Sequence, residues 1–175
     1  KNSFLDFDFI ERQRGITVYT KEALIGDKIT LIDTPGHVDF SSEMERALTV
    51  LDAAILIISA QDSITGHTRT LWRLLDEYNV PTLIFLNKID MTGIEREKIE
   101  REIISNLSSD IIPYPFTDIE SIAERDDAVL DKYLLGQSID NDDISSLINK
   151  RKLFPLISGS AIKNQGIDDI LFVLE

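Results

Sequence analysis

The run LIDTPGHVDF, Leu31 to Phe40, carries an apolar stretch into Asp33, then a Thr-Pro-Gly turn, then His37. A carboxylate at a strand end can hold a magnesium ion, directly or through water. Gly36 lets a backbone N–H approach a terminal phosphate with no side chain in the way. The same tetrapeptide is also a good ordinary turn. A second polar group is NKID, Asn87 to Asp90. The two oxygens of the Asp90 carboxylate match two adjacent N–H donors on a base edge, a pair that guanine presents and adenine does not. Asn87 would brace the loop and reach the base, and the aliphatic stem of Lys88 would cover its plane. Taken alone, these residues are more often just a polar loop capping the next helix. The small residues of SGSA, Ser158 to Ala161, would let backbone N–H groups face a purine carbonyl. Thr17, in RGIT, carries a hydroxyl that would suit a magnesium shell.

These residues need strand ends to hold them. VYTKEALI and KITLID are strand-like, and Gly26-Asp27 between them predicts a two-residue hairpin turn. SSEMERALTVL predicts a helix. AAILIIS, Ala53 to Ser59, is almost wholly apolar and predicts a strand buried on both faces. Leu71, Leu74 and Leu75 recur at helical spacing. PTLIFLNKID and LFPLISGSA predict two more buried strands. The charged run EREKIEREIISNL lies between them, with Ile99, Ile103 and Ile104 turned inward. GIDDILFVLE predicts a closing helix. Ser108 to Lys152 is acidic, holds two prolines and predicts an insertion with two short helices, DDAVLDKYLL and DDISSLINK, each opened by acids. Strands alternating with helices predict a parallel α/β sheet covered on both faces, whose ligands bind beyond the carboxyl ends of its strands. DTPGH, NKID and SGSA all fall at such ends.

The 175 residues suit one domain with a substantial core, and 43% hydrophobic content is ordinary for a globular chain. No apolar run is long enough to span a bilayer, so no membrane is expected. Cysteine is absent, which excludes a disulfide framework and fits a cytoplasmic location. A net charge of −13 opposes general or sequence-specific binding of DNA. If the chain works near RNA, Arg12 and Arg14 of ERQRGIT are candidate contacts, and two solvated arginines are an equal reading.

Thr17, Asp33 to Gly36, Asn87 to Asp90 and Gly159 to Ala161 stand in the order used by guanine-nucleotide hydrolases. ERQRGIT, DTPGHVDF, NKID and GSA resemble the translational GTPases of the elongation factor G branch. VLDAAILIISAQDSITGHTRTLW and PTLIFLNKID look closer to the ribosomal protection proteins of tetracycline resistance than to elongation factor G itself. The resemblance covers almost the whole chain. It implies a three-layer α/β fold with a mainly parallel sheet of the P-loop GTPase type. It implies that Thr17 ligates Mg2+ and that Asp33 contacts it through water. It implies that Gly36 meets the γ-phosphate and that His37 positions the attacking water once the ribosome orders it. Asn87 and Asp90 would read guanine, Lys88 would cover it, and Ser160 with Ala161 would touch its carbonyl. GTP or GDP, Mg2+ and the ribosome are the implied ligands and partner. His67 receives no role.

One departure stands out. A phosphate-binding loop needs Gly-x-x-x-x-Gly-Lys followed by Ser or Thr, and no glycine here is followed by lysine. The first strand, that loop and the first helix of the family pattern are therefore expected to be missing. Residues 1–175 are read as a GTP-binding domain fragment of a longer parent, with an insertion at about 108–152. The fragment alone is expected to be inactive. Elongation factor G or a close factor is the alternative within the family. A non-hydrolysing interaction module is the alternative from another class.

Overall fold

The computed structural model describes residues 21–34 and 41–174. The chain divides into two compact units, Lys1–Leu51 and Asp52–Glu175. In the first, β1 (Lys21–Ile25) and β2 (Ile29–Asp33) pair antiparallel, with Lys21 opposite Asp33 and Ile25 opposite Ile29. That register leaves three residues in the turn, 26–28, and not the two expected. Gly26 takes the left-handed conformation (φ +58°) that glycine adopts without steric cost. Helix α1 (Ser41–Leu48) buries Met44, Ala47 and Leu48, spaced to share one face. It stops short of the expected Leu51. Val50 N–H donates to Ala47 O at 3.0 Å, and Thr49 Oγ1 donates to Arg46 O at 2.8 Å.

The second unit is built on a four-stranded parallel sheet. Its strands are β3 (Ala54–Ser59), β4 (Thr82–Asn87), β5 (Ile111–Pro113) and β6 (Phe154–Ser158), in the spatial order β3-β4-β6-β5. β4 runs through the middle and is buried along its length until Asn87. Leu56 and Ile58 of β3 are in register with Ile84 and Leu86, and all four are buried. On the other face Leu83, Phe85 and Ile157 cluster with Ile170. β3 is not buried on both faces as expected. Its side chains alternate, and Ile57 stays exposed; among the described residues β3 pairs on one side only, with β4.

Helices cover and connect these strands. α2 (Gly66–Glu77) opens on a capping box: Thr65 Oγ1 accepts from Thr68 N–H at 3.1 Å, and Thr68 Oγ1 accepts from Thr65 N–H at 3.3 Å. It packs on β3, and Leu75 is buried. α3 (Arg96–Asn106) turns Ile99 and Ile103 inward as expected and packs on β5. Ile104 is half-buried. The span 108–152 begins with β5, a strand of the sheet itself. Helices α4 (Ile119–Ala123), α5 (Asp127–Leu134) and α6 (Asn141–Asn149) follow. They share a core of Ile112, Ile122, Ala123, Val129, Leu147 and Leu153. α7 (Ile167–Leu174) closes the chain.

Acids cap α4, α5 and α6; the acidic starts of α5 and α6 are those expected, whereas α4, capped by Asp118, was not. Asp126 Oδ1 accepts from Ala128 N–H, while its other oxygen pairs with Lys152 at 2.8 Å and Lys150 at 3.5 Å. The Lys152 contact chiefly holds the Asp126 carboxyl down to about 2, against the desolvation that opposes it. α6 starts one residue before the expected Asp142, because Asp140 is the cap and Asp143 completes its box. Where this span leads into β6, Arg151 (φ +57°) donates to Val80 O and to Asp76 Oδ1 at 3.0 Å. Its guanidinium lies 5.0 Å over the Phe154 ring, which Trp72 meets edge-on at 4.8 Å. The span 108–152 is thus tied to α2 and to the turn between α2 and β4. No helix among the described residues is long and apolar enough to cross a membrane.

Candidate functional site

β4 and β6 are parallel neighbours, with Leu86 opposite Ser158, so NKID and SGSA leave the sheet side by side. Three bonds join the two loops. Gly159 N–H donates to Leu86 O at 2.9 Å, and Ile89 N–H donates to Gly159 O at 3.2 Å. The third is made by the Asn87 side chain. Its Oδ1 accepts from Lys88 N–H at 2.8 Å and from Ala161 N–H at 3.0 Å. Asn87 therefore braces the loop, as its residue type suggests. Lys88 lies in the left-handed region at φ +67°, a conformation uncommon outside glycine.

Asp90 sits under the second loop. Its side chain is 15% exposed, and Lys163 Nζ stands 3.3 Å from Oδ2. The adjoining Ser160 hydroxyl chiefly lowers its carboxyl below the ordinary range. Burial opposes this; Lys163 and the Asp90 N–H add to it. Ser160 is buried, and its Oγ completes no hydrogen bond of good geometry among the described residues. Its effect on Asp90 is therefore that of a nearby hydroxyl dipole and not of a formed bond.

The second loop is a closed ring. Ser160 N–H donates to Gln165 O, and Gln165 N–H donates back to Ser160 O, both at 3.0 Å. Ala161–Lys163 form one 3₁₀ turn, and Asn164 (φ 54°) reverses the chain in the left-handed conformation. Gly159 is required by this closure. A Cβ there would stand 2.1 Å from Gln165 O and 2.8 Å from the Phe85 ring. Both neighbours are fixed, one as backbone and one in the core. Gly159→Ala is expected to cost about 3 kcal/mol of stability, the upper end for overpacking, because the carbonyl cannot rotate away. Urea unfolding measures it. A midpoint unchanged from wild type would show that the ring opens freely.

The structure thus brings together Asn87, Lys88, Asp90, Ser160 and Ala161. Asp33 ends β2 in the other compact unit, half-buried. Thr17, Gly36 and His37 lie outside the described residues, as do Arg12 and Arg14. Reading the sequence missed two residues beside the site. Lys163 gave no signal, because its partner is remote in the chain. Ile162 did give one: it is an isolated apolar residue in a polar loop, and it stays exposed next to Ala161. Ser158 was seen only as a small residue. Its hydroxyl donates to Glu100 Oε1 at 2.6 Å and so pins the end of β6 to α3. His67 lies in the first turn of α2. Its ring nitrogens are shielded from solvent and find no partner among the described residues.

The elongation factor Tu GTP binding domain family matches residues 1–175. The chain belongs to that family. Tetracycline resistance protein TetM from transposon Tn916 of Enterococcus faecalis is 38% identical over 97% of the chain. Tetracycline resistance protein TetW of Butyrivibrio fibrisolvens is 38% identical over 95% of it. The chain spans about 30% of the length of these relatives. A crystal structure of a Thermus thermophilus protein superposes with a TM-score of 0.85. It covers 97% of this chain and 33% of that one, at 20% identity, which establishes the α/β fold. Within an elongation factor Tu-type domain, the Asn87 brace and the Ser160–Gln165 ring form one continuous polar edge beyond the carboxyl ends of β4 and β6.

Proposed function

We propose that the chain is the GTP-binding domain of a longer ribosome-associated translation factor of the tetracycline-resistance type, and that the whole protein hydrolyses GTP in the cytoplasm. The observation that supports this best is the Asn87 Oδ1 bridge to both Lys88 and Ala161. It sets a carboxylate acceptor, Asp90, beside a ring of backbone amides on one sheet edge. Asp90 would accept from N1–H and the 2-amine of guanine. The stem of Lys88 would lie on one ring face. The Ala161 N–H is already held by Asn87, so a guanine carbonyl would share it as a second acceptor.

Asp33 offers a hard oxygen at the carboxyl end of β2, of the kind Mg2+ prefers. Asp33 and Thr17 would hold Mg2+, which neutralises charge on the β- and γ-phosphates when bound. Gly36 N–H would meet the γ-phosphate, and His37 would orient the attacking water. Catalysis of this kind is mostly positioning and charge stabilisation.

Competition of GDP, ADP and IDP against a fluorescent guanine nucleotide, in the longer protein, tests the base site. GDP is expected to compete at least about 100-fold better than ADP, because adenine leaves the Asp90 carboxylate without its two donors. Equal competition by ADP would remove the assignment.

A further inference from the structure

The Asp90 carboxylate already has a cationic partner within its own chain. Lys163 Nζ lies 3.3 Å from Oδ2. The partners differ in freedom. The Asp90 side chain is largely sunk, whereas that of Lys163 is 60% exposed. The backbone of Lys163 is fixed: its N–H donates to Ser160 O at 3.0 Å, and Asn164 turns the chain immediately after it. The ammonium is therefore tethered within reach of the carboxylate, yet able to swing into water. The lowered carboxyl of Asp90, owed first to Ser160 and then in part to Lys163, agrees with a carboxylate already occupied.

We propose, resting on the base-site reading above, that Lys163 is a specificity-determining residue: its ammonium competes with the base for Asp90 and so weakens discrimination for the guanine 2-amine. A guanine needs both carboxylate oxygens, one for N1–H and one for the 2-amine. It must displace Lys163. Hypoxanthine has N1–H but no 2-amine and needs one oxygen only. Lys163 can then remain on the other. The lysine therefore opposes guanine binding and leaves hypoxanthine binding untouched.

The size of the effect is bounded by the pair itself. Exposed ion pairs are weak, which corresponds to about a two- to fivefold change in affinity. Lys163→Gln removes the charge on an exposed side chain and leaves the loop's backbone bonds in place. In the longer protein, Lys163→Gln is expected to tighten GDP binding about two- to fivefold and leave IDP binding unchanged. The ratio of the two dissociation constants rises by the same factor. Lys163→Arg keeps the wild-type ratio. Added salt screens the pair and narrows the difference between wild type and Lys163→Gln.

Equal shifts for GDP and IDP would overturn the proposal, since they would report a general charge effect. Unchanged or weaker GDP binding in Lys163→Gln would overturn it too. Failure of the base-site reading looks different: wild type would bind GDP no better than ADP, and both readings would fall together. Selective GDP binding with an unmoved GDP-to-IDP ratio would remove the role of Lys163 alone.

Discussion

Asp90→Asn, in the longer protein, is expected to exchange guanine preference for xanthine preference. The reason is local. A carboxylate only accepts, and guanine offers it two donors, N1–H and the 2-amine. An asparagine amide accepts with one atom and donates with the other. Xanthine keeps N1–H and replaces the amine with a carbonyl, so it matches the amide. Each mismatch leaves a sunken polar group unpaired, worth about 100-fold in affinity. GDP should weaken by about that factor and xanthosine diphosphate should strengthen, both read by competition against one fluorescent nucleotide. The substitution is nearly isosteric. It also removes the ion pair with Lys163, so Lys163→Gln on this background should change little. Retained guanine preference would remove Asp90 from the base site.

His37→Ala addresses the other half of the proposed reaction. His37 follows Gly36 directly, just past the end of β2 at Asp33. If it orients the attacking water, its contribution falls in the transition state and not in nucleotide binding. Single-turnover hydrolysis with saturating ribosomes should slow by about 100-fold, the lower end for a residue that positions or relays a proton. The dissociation constant for GTP should stay within about twofold of wild type, since ground-state contacts are untouched. An affinity loss matching the loss in rate would make His37 a binding residue instead.

Much of the architecture could be read from the chain because its signals are local. The buried run at β4, the helical spacing of Ile99 and Ile103, and the polar ends of β4 and β6 each depend on neighbouring residues only. What escaped depends on partners distant in sequence, or on competing local choices. β5 was missed because it is three residues long and ends on a proline, so composition made it resemble loop. Ile57 stays exposed although AILIIS is apolar throughout, because burial depends on what covers each face and not on the run itself. The start of α6 was placed one residue late because Asp140, Asp142 and Asp143 are close together, and Asp140, with its extended backbone, is the one that caps. The hairpin turn is one residue longer because strand pairing, not the Gly-Asp pair, sets its length. Of the residues singled out at the loops, Asn87 shows the bracing role that its type and spacing suggested. The reason for Gly159 was not legible: it lies in the approach of the Gln165 carbonyl.

The Ser160–Gln165 ring has a thermodynamic consequence. Ordering one free residue costs about 1–2 kcal/mol of backbone entropy, so assembling such a loop around a ligand would erase most of the gain from contacting it. Here that ordering belongs to folding: two backbone bonds close the ring, and Asn87 fastens it to the neighbouring strand. A planar ligand bound here, as proposed, would meet an edge whose chain conformation is already set. Only side-chain rotamers, chiefly the exposed lysines 88 and 163, remain to be fixed on association. Affinity at this edge would therefore be governed by the fit of donors to acceptors, with little chain entropy left to oppose it.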